Sequence, residues 1–314
     1  MKITILEPIG ITSENLVKIK ADFESSGHEF FAYDNKPDND AEIIKRAKNS
    51  DVIIVSNLPI SEEVINQCTC LKMISVAFAG VDHIPMDLCR DKNIIVSNAA
   101  GYSNHAVAEL VIGSVINLNR RLNWCDSQTR KCGTREGFLG SELYGKTFGI
   151  IGFGEIGAQV AQIANAFGCK VIAYTRTKKD IANVEFSDLE TLLKESDIIS
   201  IHVPQTKETK HLIGEKELKL LKSSSIIINT ARGAIVDNGA LSKMLRNNTI
   251  AGAAIDVYEK EPPLEKDYAL FDAPNTILLP HIGYATKEAI ELRGDIVIKN
   301  IEEWIKGNPQ NIMN

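Results

Sequence analysis

The stretch GIIGFGEIG at residues 149–157 decides how the chain is read. Within it Gly152, Gly154 and Gly157 stand at G-x-G-x-x-G spacing, after the apolar run TFGIIG (147–152) and before a helical pattern over residues 156–167. That context separates the motif from a chance glycine repeat. Gly152 permits a tight turn, Gly154 lets the backbone approach a pyrophosphate, and Gly157 lets helix and strand pack closely. The helix N-terminus then offers free N–H groups and the positive end of its dipole to the phosphates. The stretch therefore reads as a dinucleotide-binding turn, yet it lies almost halfway along a chain of 314 residues.

Short Ile- and Val-rich runs recur on both sides of it. Before it come ITIL (3–6), EFFAY (29–33), DVIIVS (51–56), LKMISVA (71–77) and NIIVSN (93–98). After it come KVIAYT (170–175), DIISIHV (197–203), SIIINT (225–230), IAGAAIDV (250–257) and TILLP (276–280). Continuous rather than alternating hydrophobicity marks strands covered on both faces, hence parallel sheets with crossover helices. Long helical patterns over 103–121 and 286–306 separate two such series, and SDLE (187–190) has the Ser-x-x-Glu form of a capping box starting a helix at Ser187. The pattern predicts an α/β protein of two doubly wound parallel-sheet domains, with no detectable repeat between them.

Composition narrows the function classes. A net charge of -6 argues against nucleic acid or an anionic membrane as partner, since both need a dense cationic face. No apolar run reaches the roughly 18 residues of a spanning helix, and MKITILEPIG reads as strand and turn rather than a leader. The cysteines Cys68, Cys70, Cys89, Cys125, Cys132 and Cys169 form no CxxC pair or zinc-spaced cluster, so buried, reduced thiols, no metal and a reducing cytoplasm are expected.

A dinucleotide turn is ordinarily followed about 20 residues on by an acid that binds the ribose hydroxyls. Here VIAYTRT supplies Thr175, Arg176 and Thr177, with Lys178 and Lys179 after them. A hydroxyl and cationic groups would receive the 2′-phosphate that an acid repels, which points to NADP, with NAD still open. A solvated basic loop is the plainer alternative.

Three further segments place polar residues at strand ends: NTARGAIVD (229–237), DVYEKEPP (256–263) and LPHIG (279–283). In a doubly wound sheet the ligand crevice lies beyond the carboxyl ends of the strands, where Arg232, Glu261 and His281 can converge. Taken singly, each also fits a packed, surface or loop residue.

With AFAGVDHIP (77–85), YSNHAVAEL (102–110), ELYGKTFGIIGFGEIG (142–157), HVPQTKET (202–209) and AAIDVYEKEP (253–262), these segments make the chain resemble the D-isomer-specific 2-hydroxyacid dehydrogenases over nearly its whole length. That family includes glyoxylate/hydroxypyruvate reductases and D-lactate and 3-phosphoglycerate dehydrogenases. The resemblance implies a Rossmann cofactor domain, residues 101–283, inserted into a flavodoxin-like substrate domain of residues 1–100 completed by 284–314. The two long helices would be the hinge crossings, with closure during turnover. It also implies that Arg232, Glu261 and His281 are catalytic, for a reason chemistry supplies. Hydride arriving at a 2-oxo acid leaves negative charge on the ketone oxygen. Arg232 would bind the neighbouring carboxylate and polarise the ketone, His281 would donate the proton, and Glu261 would favour the charged imidazole.

By the same resemblance the cofactor would meet Gly152, Gly154, Glu155, Ile156, Gly157, Thr175, Arg176, Thr177, His202, Pro204, Thr209, Thr230, Ala231, Arg232, Asp256, His281 and Gly283, with Asp256 reaching the nicotinamide amide. Backbone N–H groups of Ala79 and Gly80 would take the substrate carboxylate, while Phe78 and Tyr102, which equally fit plain packing, would shape the pocket beside Arg232. A homodimer built on the cofactor domains is implied, although Thr134, Arg135 and Glu136 replace the Trp that many relatives carry in the arm. The expected activity is an NADPH-linked reduction of a small 2-oxo acid. The alternatives are a 3-phosphoglycerate enzyme without a regulatory domain and a dinucleotide-sensing corepressor, which retention of all three catalytic residue types disfavours.

Overall fold

In the computed structural model, which describes residues 1–177 and 180–314, the Ile/Val runs form two separate parallel sheets. The chain divides into two compact units, Met1–Ser103 with Ala285–Asn314, and Asn104–Tyr284. The second unit is thus inserted in the sequence of the first.

The first unit runs β1 (Lys2–Ile5), α1 (Ser13–Ser25), β2 (Glu29–Ala32), α2 (Asp40–Ala47), β3 (Val52–Val55), α3 (Glu62–Gln67), β4 (Met73–Val76), α4 (Met86–Asp91) and β5 (Ile95–Asn98). Its sheet has the order β2-β1-β3-β4-β5, the flavodoxin-like arrangement. The second unit holds α5 (Asn104–Arg120), α6 (Leu122–Arg130), β6 (Thr147–Ile151), α7 (Glu155–Ala166), β7 (Lys170–Tyr174), β8 (Val184–Phe186), α8 (Leu189–Glu195), β9 (Ile198–Ile201), α9 (Glu215–Leu218), β10 (Ile226–Asn229), α10 (Asn238–Arg246), β11 (Gly252–Ile255) and β12 (Thr276–Leu278). The last helix, α11 (Lys287–Ile305), belongs to the first unit. The order β12-β11-β10-β9-β6-β7-β8 is that of a Rossmann sheet extended by one strand.

Period-2 alternation explains why the strands read as unbroken apolar runs. Phe148 and Ile150 of β6, with Ile226 and Ile228 of β10, enter one core beside α5 and α7. Ile151 and Ile227 enter the other, beside α8 and α10. Both faces are buried, so most positions are apolar on either face.

Caps differ from expectation at one helix. The N-cap of α8 is Asp188, not Ser187: Thr191 N–H donates to Asp188 Oδ1 at 2.8 Å. A carboxylate one residue later is the stronger acceptor, and Glu190, instead of reaching back, takes Lys194 at 2.6 Å. The thiols also divide: Cys68, Cys89 and Cys169 are buried, whereas Cys70 and Cys132 are exposed and Cys125 is half-buried. Among the described residues no helix is long and apolar enough to cross a membrane.

Candidate active site

The Rossmann sheet reverses its winding between β6 and β9, and there the glycine turn sits. His202 N–H, just past β9, donates to Ile151 O at 2.7 Å. Gly152 has φ +99°, and a Cβ on it would come within 2.7 Å of the His202 carbonyl carbon. A Cβ at Gly157 would strike the Gly152 carbonyl oxygen, while one at Gly154 would meet nothing within 4 Å. Gly152 and Gly157 are thus demanded by the fold, and Gly154 leaves a bare approach to the N-terminus of α7. Among the described residues, no side chain caps that terminus. A pyrophosphate fits such a cradle.

Around it, Glu155 is exposed and accepts from Asn104 Nδ2 at 2.6 Å. Ile156 packs partly buried against the core beneath α7. Thr175 follows β7 directly, half-buried, with Arg176 and Thr177 exposed; Lys178 and Lys179 lie outside the described residues. The His202 ring meets Ser200 Oγ at 2.8 Å, and desolvation pulls its pKa down to about 4, so the imidazole is neutral at ordinary pH. Thr209 Oγ1 donates to Pro204 O at 2.7 Å, closing that loop on itself. Among the described residues, the buried Thr230 Oγ1 has no hydrogen-bond partner, an orphan that an incoming polar ligand group would satisfy.

Arg232 follows β10, where Asn229 organises the turn: its Nδ2 donates to Arg232 O at 2.9 Å and its Oδ1 accepts from Ala231 N–H at 3.1 Å. Arg232 Nη1 reaches back to Ala231 O at 2.8 Å. His281 follows β12 with φ +58°, in the left-handed region unusual for a side-chain-bearing residue. Its Nδ1 lies 3.1 Å from Glu261 Oε1, and its ring meets Tyr284 edge-on at 5.8 Å.

The His281 backbone is held by Asp256, 1% exposed. Asp256 Oδ1 accepts from Ile282 N–H at 2.8 Å and Oδ2 from Gly283 N–H at 2.7 Å. Burial raises the Asp256 pKa above the usual aspartate range, with the two amide bonds acting against it. Both carboxylate oxygens thus have partners within the chain.

In the first unit, loop 78–80 follows β4. Asn98 Nδ2 donates to Ala79 O at 2.7 Å, and Ala99 N–H donates to Phe78 O at 3.0 Å. Among the described residues, the N–H groups of Ala79 and Gly80 donate to no protein acceptor. Phe78 and the buried Tyr102 meet edge to face at 6.2 Å.

The family model for the D-isomer specific 2-hydroxyacid dehydrogenase NAD binding domain matches residues 112–283, more than half of the chain. The chain belongs to the D-isomer-specific 2-hydroxyacid dehydrogenase family. This dehydrogenase is an NAD(P)-dependent oxidoreductase. It is 43% identical over 268 residues to a glyoxylate reductase of Thermococcus litoralis, covering 81% of this chain and 80% of that one. It is 38% identical over 281 residues to a D-3-phosphoglycerate dehydrogenase of Methanocaldococcus jannaschii, covering 87% of this chain and 53% of that one. Among solved structures, an acyclic imino acid reductase in complex with NADPH and D-Arg superposes with a TM-score of 0.91 at 34% identity, covering both chains fully.

Sequence reading of the dehydrogenase passed over two elements of the site's support. The Asp256 clamp was not legible because its partners are backbone amides 26 and 27 residues away. Arg293 of α11, buried beside Phe78 and Tyr102, was legible in principle as a charge inside an apolar i, i+4 stripe, Ala289, Val297 and Ile301 being its buried neighbours along that row.

Proposed function

We propose that the protein reduces small 2-oxo acids, glyoxylate, hydroxypyruvate or acids with a short apolar tail, to the corresponding 2-hydroxy acids, of D configuration where C2 becomes a stereocentre, with NADPH preferred over NADH. The observation that carries the reading is the pair of His281 and Glu261 at 3.1 Å, on a loop pinned by Asp256 in the sheet that bears the glycine turn. With Nδ1 facing the carboxylate, His281 keeps Nε2 to pass a proton to the ketone oxygen as charge develops there. Arg232 binds the substrate carboxylate and polarises the ketone with a charge that does not titrate. In the first unit, the amides of Ala79 and Gly80 are donors suited to a carboxylate, with Phe78 and Tyr102 beside them.

Gly152, Gly154 and the first turn of α7 hold the pyrophosphate, Thr230 meets a polar group of the bound dinucleotide, and Thr175 and Arg176 take a 2′-phosphate. When bound, the reduced nicotinamide supplies the hydride. Preference for NADPH rests on the absence of an acid at position 175. A homodimer through the unit Asn104–Tyr284 fits the exposed Leu122, Trp124, Leu139 and Tyr144, and light scattering on the purified chain tests it.

The test of function is a spectrophotometric panel of 2-oxo acids with NADPH and NADH in parallel. Turnover of glyoxylate or hydroxypyruvate with NADPH is expected. The phosphoglycerate dehydrogenase likeness favours one further substrate, 3-phosphooxypyruvate, and the imino acid reductase likeness another, a 2-oxo acid mixed with an amine. Faster reaction with either would replace the leading assignment.

A further inference from the structure

Behind loop 78–80 lies a cation to which the proposed chemistry gives no task. Arg293 of α11 is 5% exposed, and its Nη2 donates to Ile9 O at 2.7 Å. The guanidinium carbon lies 5.1 Å from the Phe78 ring centroid and 5.9 Å from that of Tyr102. Gly10, at φ +84°, lines the same space: a Cβ there would strike Ile290 and come within 3.2 Å of Arg293 Nη2. The guanidinium is therefore packed against two aromatic rings and a glycine backbone, with little room for water.

Such a site keeps its charge. Arginine stays protonated in proteins, and aromatic faces attract a cation more strongly as water is removed. In low-dielectric surroundings the field of the charge also reaches further than it would at a surface. What lies next in the chain is the pair of N–H groups on Ala79 and Gly80, which donate to no protein acceptor among the described residues. A methionine or leucine would fill the stripe of α11 but could not donate to Ile9 O or place a cation against the two rings.

We propose that Arg293 is a positioning residue that tunes loop 78–80 for anionic substrates: it fixes Phe78 and Tyr102 from behind and biases the loop's amide groups toward a carboxylate. The claim rests on the 2-oxo acid reading given above and adds the group in the first unit that selects the substrate's charge.

The test compares a 2-oxo acid with its methyl ester, which keeps the ketone and loses the charge, in wild type, Arg293→Met and Arg293→Lys. Arg293→Met is expected to lower kcat/KM for the acid about tenfold, chiefly through KM, and for the ester less than about twofold. Arg293→Lys is expected to retain the wild-type preference for acid over ester even where both rates fall. Equal losses for acid and ester in Arg293→Met, or no loss in either, would overturn the proposal by reducing Arg293 to packing. If Arg293→Met does not fold, Arg293→Gln, which can still donate to Ile9 O, makes the same comparison. A wild-type chain that turns over no 2-oxo acid defeats the functional reading. Calorimetric binding of oxamate to the NADP-loaded protein then decides the Arg293 claim alone. About tenfold weaker binding in the uncharged variant supports it, and equal or absent binding in wild type overturns it.

Discussion

Loop 281–283 in one unit and loop 78–80 in the other are held by opposite charges. Around His281 the supports are carboxylates, Glu261 on the ring and Asp256 on the two following amides. Around Phe78 they are a buried guanidinium and a neutral carboxamide, Arg293 and Asn98. The difference matches the role proposed for each loop. The side chain proposed to carry a proton is backed by negative charge, and the backbone proposed to receive an anion is backed by positive charge. Polarity is thus set one layer behind the groups proposed to touch substrate.

Two changes test the His281 side of that contrast, and two more test the site outside both loops. His281→Ala removes the proposed proton donor and is expected to lower kcat by about a hundredfold or more, with NADPH binding retained; near-normal turnover would remove the residue from the chemistry. Asp256→Asn turns an amide donor toward an amide N–H and leaves one of two buried donors unpaired. Turnover should fall about tenfold and stability by about 2 kcal/mol. Calorimetry and steady-state kinetics on that variant check both, and a lowered melting temperature with unchanged kcat would make the clamp purely structural.

Arg176→Ala touches neither loop. It is expected to raise the KM for NADPH about fivefold and to leave that for NADH alone, since only NADPH presents a 2′-phosphate. Equal losses for both cofactors would dismiss the phosphate contact. The smallest effect concerns His202. Below its unfolded value of 6.5 the unfolded chain takes up a proton at this ring, whereas the folded chain does so only near 4. The unfolded state binds more protons in that window, so stability falls as pH drops through it and is complete above it. In His202→Gln the pH dependence of the melting temperature between those limits should be shallower; an unchanged slope would place the acid sensitivity elsewhere.

Much of this architecture could be read from the chain because its causes are local. Unbroken Ile/Val runs reported strands buried on both faces, and Gly152 and Gly157 reported a turn that no larger residue tolerates. The start of α8 was read one residue early because Ser187 and Asp188 are both competent caps and only the folded geometry chooses between them. Strand β8, just three residues of mixed polarity, carries no periodicity to detect. Site support was the least legible part. Arg293 and Phe78 are far apart in sequence, and their contact arises only when α11 returns to the first unit.

The most direct measurement is the configuration and yield of the product formed from a prochiral 2-oxo acid and NADPH by the wild-type chain, resolved by chiral chromatography. The account predicts a D-2-hydroxy acid formed in equal amount to the NADPH consumed. An L product, or NADPH that remains unoxidised with every 2-oxo acid tried, would contradict it.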